Sequence, residues 1–245
     1  MVVPSATTVP LTGWFTSRYG SVKVFVIAMA AFGVFSGLAG LSSSLGFLVF
    51  ARVLQGLAGG PLMPLSQTLL LRIFPKEKAG AATGIWAMTT LVGPVLGPIL
   101  GGWICDNYSW PWIFLINLPI AGACAYICWK ILRRYETKIV RNPIDVIGFV
   151  LLIIWVGALQ IMLDEGKNLD WFSSPIICLL AVVSIIGFVA FLIWEFTEAH
   201  PIVDLRVFRH RGFTAAVLTV SLTFAGFFAA NVLTPLWLQS FMAYT

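Results

Sequence analysis

The chain has 245 residues, 59% of them hydrophobic and only 10% charged, with a formal net charge of +5. Soluble domains carry about 25% charged residues, so a single water-exposed globule is excluded and several membrane spans are implied. In such a chain the basic excess reports orientation rather than nucleic-acid binding.

Met1 leads into "VVPSATTVPLTGWF" without a basic n-region, so no cleavable signal peptide is expected. Eight apolar runs follow, at about 1–16, 24–42, 46–73, 79–104, 111–132, 144–163, 175–197 and 212–235. The first reads as cut short at its start. The others approach or exceed the roughly 20 residues that a helical span needs. The expected class is an all-α polytopic membrane protein.

The connectors between these runs alternate in charge. The first, third, fifth and seventh, with Arg72 and Lys130 beside them, hold 13 of the 15 Lys and Arg residues. The even connectors hold only Lys167. The positive-inside rule therefore puts the odd connectors in the cytoplasm, and the first run crosses from outside to inside. Trp103, Trp110, Trp112, Trp171 and Trp237 then fall at outer ends, and Trp14, Trp129 and Trp194 near inner ends, the depth that amphipathic rings prefer. Trp86 and Trp155 lie deeper, lining a cavity or packing between helices.

In the first connector, "GWFTSRYGSVKV" sets Gly13, Arg18 and Gly20 in a tight cytoplasmic turn where Gly20 would allow a positive φ. Read alone, this is equally an ordinary basic loop. In the third run, Arg52 stands about seven residues from the outer edge. A guanidinium at that depth faces a polar cavity or snorkels back to the surface. Arg52, Gln55, Gly56, Gly59, Met63, Ser66 and Gln67 recur at three- and four-residue steps. That face is polar and small, which favours the cavity.

The fourth run carries "LVGPVLGPILGGWI", in which Gly93, Gly97 and Gly101 repeat every four residues beside Gly102, with Pro94 and Pro98 between them. Small-residue ladders let helices approach closely, and prolines free carbonyls and bend a helix. A dimerising GxxxG stripe is the simpler reading; the paired prolines argue for a bent helix against a close neighbour. Cys105, Cys124, Cys128 and Cys178 read as small apolar side chains, with neither a disulfide nor a metal expected. His200 and His210 are the only histidines, and they lack a ligand partner at a useful spacing. An embedded enzyme is therefore not expected.

Taken together, "GWFTSRYGSVK", "FARVLQGLAGG" and "GPVLGPILGG" resemble the loop, span-four and span-five motifs of the major facilitator superfamily, and "WPWIFLINLPIAG" is similar to a segment frequent in its fourteen-span drug:proton antiporter branch. The resemblance runs over the whole chain. It implies an incomplete major facilitator fold of about eight transmembrane helices. Residues 1–132 would be spans two to six of the N-terminal bundle, 133–198 a cytoplasmic linker and two extra spans, and 199–245 a cytoplasmic loop and the first span of the C-terminal bundle. It assigns Arg52, with Gln55, to proton coupling or a polar network. Gly93, Pro94, Gly97, Pro98, Gly101 and Gly102 take the antiporter-motif role, and Gly13, Arg18 and Gly20 the gating-loop role. The loop departs from the family at Ser17, where an Asp is usual, which puts its charge relay in doubt.

The same resemblance implies a transporter of the inner membrane that exports hydrophobic compounds, driven by the proton gradient without a cofactor. Implied partners are the lipid bilayer, hydrophobic small molecules, protons, a periplasmic adaptor and an outer-membrane channel, with no nucleic acid. Cavity candidates are Gln67, Gln160 and Asn231, beside Arg52 and Gln55; for Gln160 and Asn231 interhelical packing is an equal reading. The apolar runs hold no carboxylate near mid-depth, and the resemblance places the coupling acid on a span that this chain lacks. The chain thus reads as a fragment of an exporter or as a truncated, non-transporting membrane remnant.

Overall fold

The computed structural model of the chain describes residues 2–140 and 143–241, and no strand occurs among them. The described residues form ten α-helices, in order α1 Val2–Tyr19, α2 Ser21–Gly40, α3 Leu45–Gly59, α4 Leu62–Ile73, α5 Ala79–Asn107, α6 Trp112–Leu115, α7 Asn117–Leu132, α8 Val146–Glu165, α9 Pro175–Thr197 and α10 Arg211–Phe241. In a bilayer every backbone N–H and C=O needs an internal partner, so apolar runs of this length become helices. Seven helical segments are long and apolar enough to cross a membrane, among them Ser21–Gly40, Leu45–Ile73 and Pro175–Thr197. The eighth expected span, α1, is a helix of 18 residues that is not among them. Ser5, Thr7, Thr8, Thr12 and Thr16 dilute its apolar content.

Two apolar runs are interrupted. The run 46–73 breaks into α3 and α4 at Gly60 and Pro61, and the run 111–132 divides into α6 and α7 at Ile116. Local signals set several starts. The Ser44 hydroxyl accepts from Phe47 N at 3.3 Å to cap α3, and the Asp145 carboxylate accepts from Gly148 N at 2.8 Å to cap α8. Pro175 opens α9, where its missing N–H costs nothing.

The described residues divide into two compact units, 1–202 and 203–245. In the first, α2 packs chiefly on α3 and α7, α1 lies on α3, α2 and α8, and α8 pairs with α9. Close approach is carried by glycines. A Cβ built on Gly33 would stand 2.6 Å from that of Ala121, and Gly37 and Gly40 meet Leu118 and Leu115, so α2 seats α6 and α7 along a stripe of small residues. At Gly60, α3 gives way to α1, where a Cβ would stand 2.8 Å from the Ser5 carbonyl. Val22 and Phe25 of α2, Leu65 and Leu69 of α4 and Leu132 of α7 form a buried apolar cluster, with Cys128 packed on it as one more apolar side chain. The α8–α9 pair closes on Trp155, whose ring lies 5.0 Å from Phe188 and 6.2 Å from Phe191 beside Gly187. Of the two deep tryptophans, this one is a packing residue. In the second unit α10 follows a short 3-10 turn, Leu205–Arg209.

Candidate functional site

Arg52 sits on the second turn of α3, reached from the Ser44 cap. Its Nη1 donates to Gln55 Oε1 at 3.1 Å, one turn further on, and its Cζ lies 5.0 Å from the centre of the Phe114 ring. Gln55 is 2% exposed. The guanidinium therefore has an acceptor and an aromatic face as partners, and a hydrogen-bonded, ring-stacked cation is far cheaper to hold in an apolar bundle than a bare one.

The network extends through the backbone of α6. The Ser36 hydroxyl on α2 donates to the Phe114 carbonyl at 2.9 Å, and Asn117 Nδ2 donates to Ser36 Oγ at 3.1 Å and to the Ile113 carbonyl at 3.2 Å. Ser36 is fully buried. From α1, the Ser5 hydroxyl donates to the Gly56 carbonyl of α3 at 3.1 Å. Hydrogen bonds thus join α2, α6 and α7, and the Phe114 ring carries the contact on to Arg52 of α3. This arrangement can hold a cation in a set orientation and polarise it, while bare carboxylates are not among these contacts.

Ser36, Phe114 and Asn117 escaped the sequence reading. Asn117 carried a signal, an amide inside the apolar run 111–132; Phe114 carried none. Of the other candidates, Gln67 on α4 is half-buried. Gln160 Nε2 donates to both oxygens of Asp164, at 3.0 and 3.1 Å, and Asn231 Nδ2 donates to the Phe227 carbonyl at 2.8 Å. Both amides are therefore satisfied within their own helices. Trp86 Nε1 donates to Ser66 Oγ at 3.0 Å, tying α5 to the polar face of α4.

The glycine and proline ladder lies on α5, which runs helical through both prolines. A Cβ built on Gly93, Gly97, Gly101 or Gly102 would meet no neighbour within 4 Å among the described residues. Pro98 is exposed, and the side chain of Pro94 lies outside the described residues. The α1–α2 turn is as tight as expected: Gly20 has φ 92, and the Arg18 guanidinium lies 5.4 Å from the Trp14 ring. A Cβ on Gly13 would be in open space.

The family model of the Major Facilitator Superfamily matches residues 1–245. The chain is 48% identical over 243 residues to the multidrug export protein EmrB of Escherichia coli and 47% identical to that of Haemophilus influenzae, covering 99% of this chain and 48% of each relative. It is also 47% identical over 243 residues to the fatty acid resistance protein FarB of Neisseria gonorrhoeae, again covering 99% of the chain and 48% of that protein. The chain therefore spans about half the length of the curated relatives it matches. With its run of apolar helices and full-length match, it belongs to the Major Facilitator Superfamily of multi-pass membrane transporters.

Proposed function

We propose that the intact protein exports hydrophobic compounds from the cytoplasm across the inner membrane in exchange for protons, by alternating access of two helical bundles. The observation that carries this reading is the 47–48% identity, along 99% of the chain, to proteins named for multidrug export and fatty acid resistance. Substrates in that range share apolar bulk rather than a functional group, and a largely apolar cavity with few polar anchors suits them. The proton gradient supplies the drive, with no cofactor, and the protein works with a periplasmic adaptor and an outer-membrane channel.

In this reading Arg52 is the fixed cation of the coupling network. Gln55 and Phe114 orient it toward the path through the N-terminal bundle, and Gln67 lines the cavity one helix further on. The α5 ladder, open within this chain, meets the other half of the transporter, and Gly13, Arg18 and Gly20 serve as the gating loop. The test is growth of an efflux-deficient host expressing the intact protein on graded hydrophobic drugs and long-chain fatty acids, with Arg52→Ala alongside. Resistance with the wild type that is lost with Arg52→Ala at equal membrane abundance supports the reading. No resistance to any compound with wild-type protein present in the membrane would overturn it.

A further inference from the structure

The first three N–H groups of a helix have no intrahelical acceptor. In α2 all three are satisfied from the linker after α7, more than a hundred residues away. Ser21 N donates to Thr137 Oγ1 at 2.9 Å, Val22 N to Glu136 Oε1 at 2.9 Å and Lys23 N to Glu136 Oε2 at 3.0 Å. The same Oε1 also accepts from Thr137 N at 3.1 Å, which fixes the carboxylate to its own backbone. A return bond runs the other way, from Val140 N to the Ser17 carbonyl at 2.8 Å. The linker is thus laced to the α1–α2 turn on both sides of Gly20.

Gly20 is shaped for this. Its φ is 92, and a Cβ there would stand 2.5 Å from the Glu136 carboxyl carbon. From Gly13 to Val24 the turn holds Arg18 and Lys23 but no acidic residue. Glu136 brings a carboxylate to it, onto the positive end of the α2 dipole.

We infer that Glu136 is a positioning residue for transport, fastening the α1–α2 turn to the linker that leads into α8 so that turn and linker move as one body. This role rests on the transport reading above. Two of the first-turn bonds go to a single charged group, so its loss frees the turn while leaving the apolar packing of α2 in place.

The test uses the intact protein with Glu136→Ala and Glu136→Gln. Amide exchange in lipid nanodiscs reads the joint, and uptake of ethidium by everted vesicles, normalised to protein abundance, reads the transport cycle. Exchange at Ser21–Lys23 should rise about tenfold or more in Glu136→Ala, as expected for losing a charge-assisted bond, with the later turns of α2 unchanged. Vmax for ethidium should fall by about the same factor while KM stays within about twofold. Glu136→Gln, which keeps the length and one acceptor, should lie between the two; it carries both readouts if the Ala variant does not reach the membrane. Unchanged exchange at Ser21–Lys23 would overturn the joint. Faster exchange with wild-type Vmax would overturn the positioning role. If the wild type moves no ethidium or other exported compound, the transport reading fails and the positioning role with it, whereas the exchange contrast still decides the joint.

Discussion

Arg52 shows how a cation is kept in an apolar bundle. The sequence placed it and Gln55 on one face by their three-residue step, and that contact forms at 3.1 Å. The Phe114 ring was not legible, because it arrives from a different segment and apolar residues look alike until they are packed. Replacing Phe114 with Leu keeps an apolar side chain but removes the ring face, at about 0.5–2 kcal/mol. Thermal unfolding in detergent should fall by a few degrees, and export should fall further than the stability loss explains. Wild-type export by Phe114→Leu would mean that the ring does not orient Arg52. Gly20 gives a second prediction at this scale. Its φ of 92 with ψ of 145 lies where side chains are strained by about 1–3 kcal/mol, before the Glu136 carboxylate is displaced. Gly20→Ala should therefore destabilise the protein more than Gly13→Ala, since Gly13 is helical and faces open space.

Among the helices, existence and type were readable from apolar length, whereas close contacts were not. The pattern of glycines four apart occurs on α2, at Gly33 and Gly37, across the end of α3, at Gly56 and Gly60, and on α5. Only its partners decide which stripe is used. Among the described residues the α2 stripe and Gly60 at the end of α3 are used, against α6, α7 and α1, and the α5 glycines meet no neighbour. The breaks at Gly60–Pro61 and Ile116 escaped because hydropathy is continuous across them; at the first, Pro61 removes a backbone donor, a local signal that apolar length alone passes over. The contrast is measurable. Gly33→Leu forces a large side chain into the Ala121 contact, and overpacking of this kind costs about 1–3 kcal/mol, so the melting temperature should drop. At Gly97 an added Cβ would meet nothing within 4 Å among the described residues. If α5 faces the second half of the transporter, Gly97→Leu should leave the N-terminal packing intact yet abolish export. Full export by Gly97→Leu would remove the ladder from the transport interface.

For the molecule as a whole, charge and structure make independent statements about sidedness. The Lys and Arg asymmetry assigns the first, third, fifth and seventh connectors to one side. The structure brings three of these together. The first and fifth are laced across Gly20 by Glu136, Thr137 and Val140. Close by, His200, Pro201 and Ile202 of the seventh line a cavity of about 250 Å³ with Pro10, Gly13, Trp14, Ser17 and Asp145. Connectors that touch cannot lie across a bilayer from one another, so these three share a compartment whichever way the protein inserts. Which compartment it is follows from the basic residues alone, and single-cysteine labelling decides it. In a background with Cys105, Cys124, Cys128 and Cys178 replaced, Lys138→Cys reports the fifth connector and Lys167→Cys the sixth; both positions are exposed. A membrane-impermeant maleimide applied to spheroplasts should label Lys167→Cys at once and Lys138→Cys only after permeabilisation. The reverse pattern would invert the molecule and place the Glu136 joint outside.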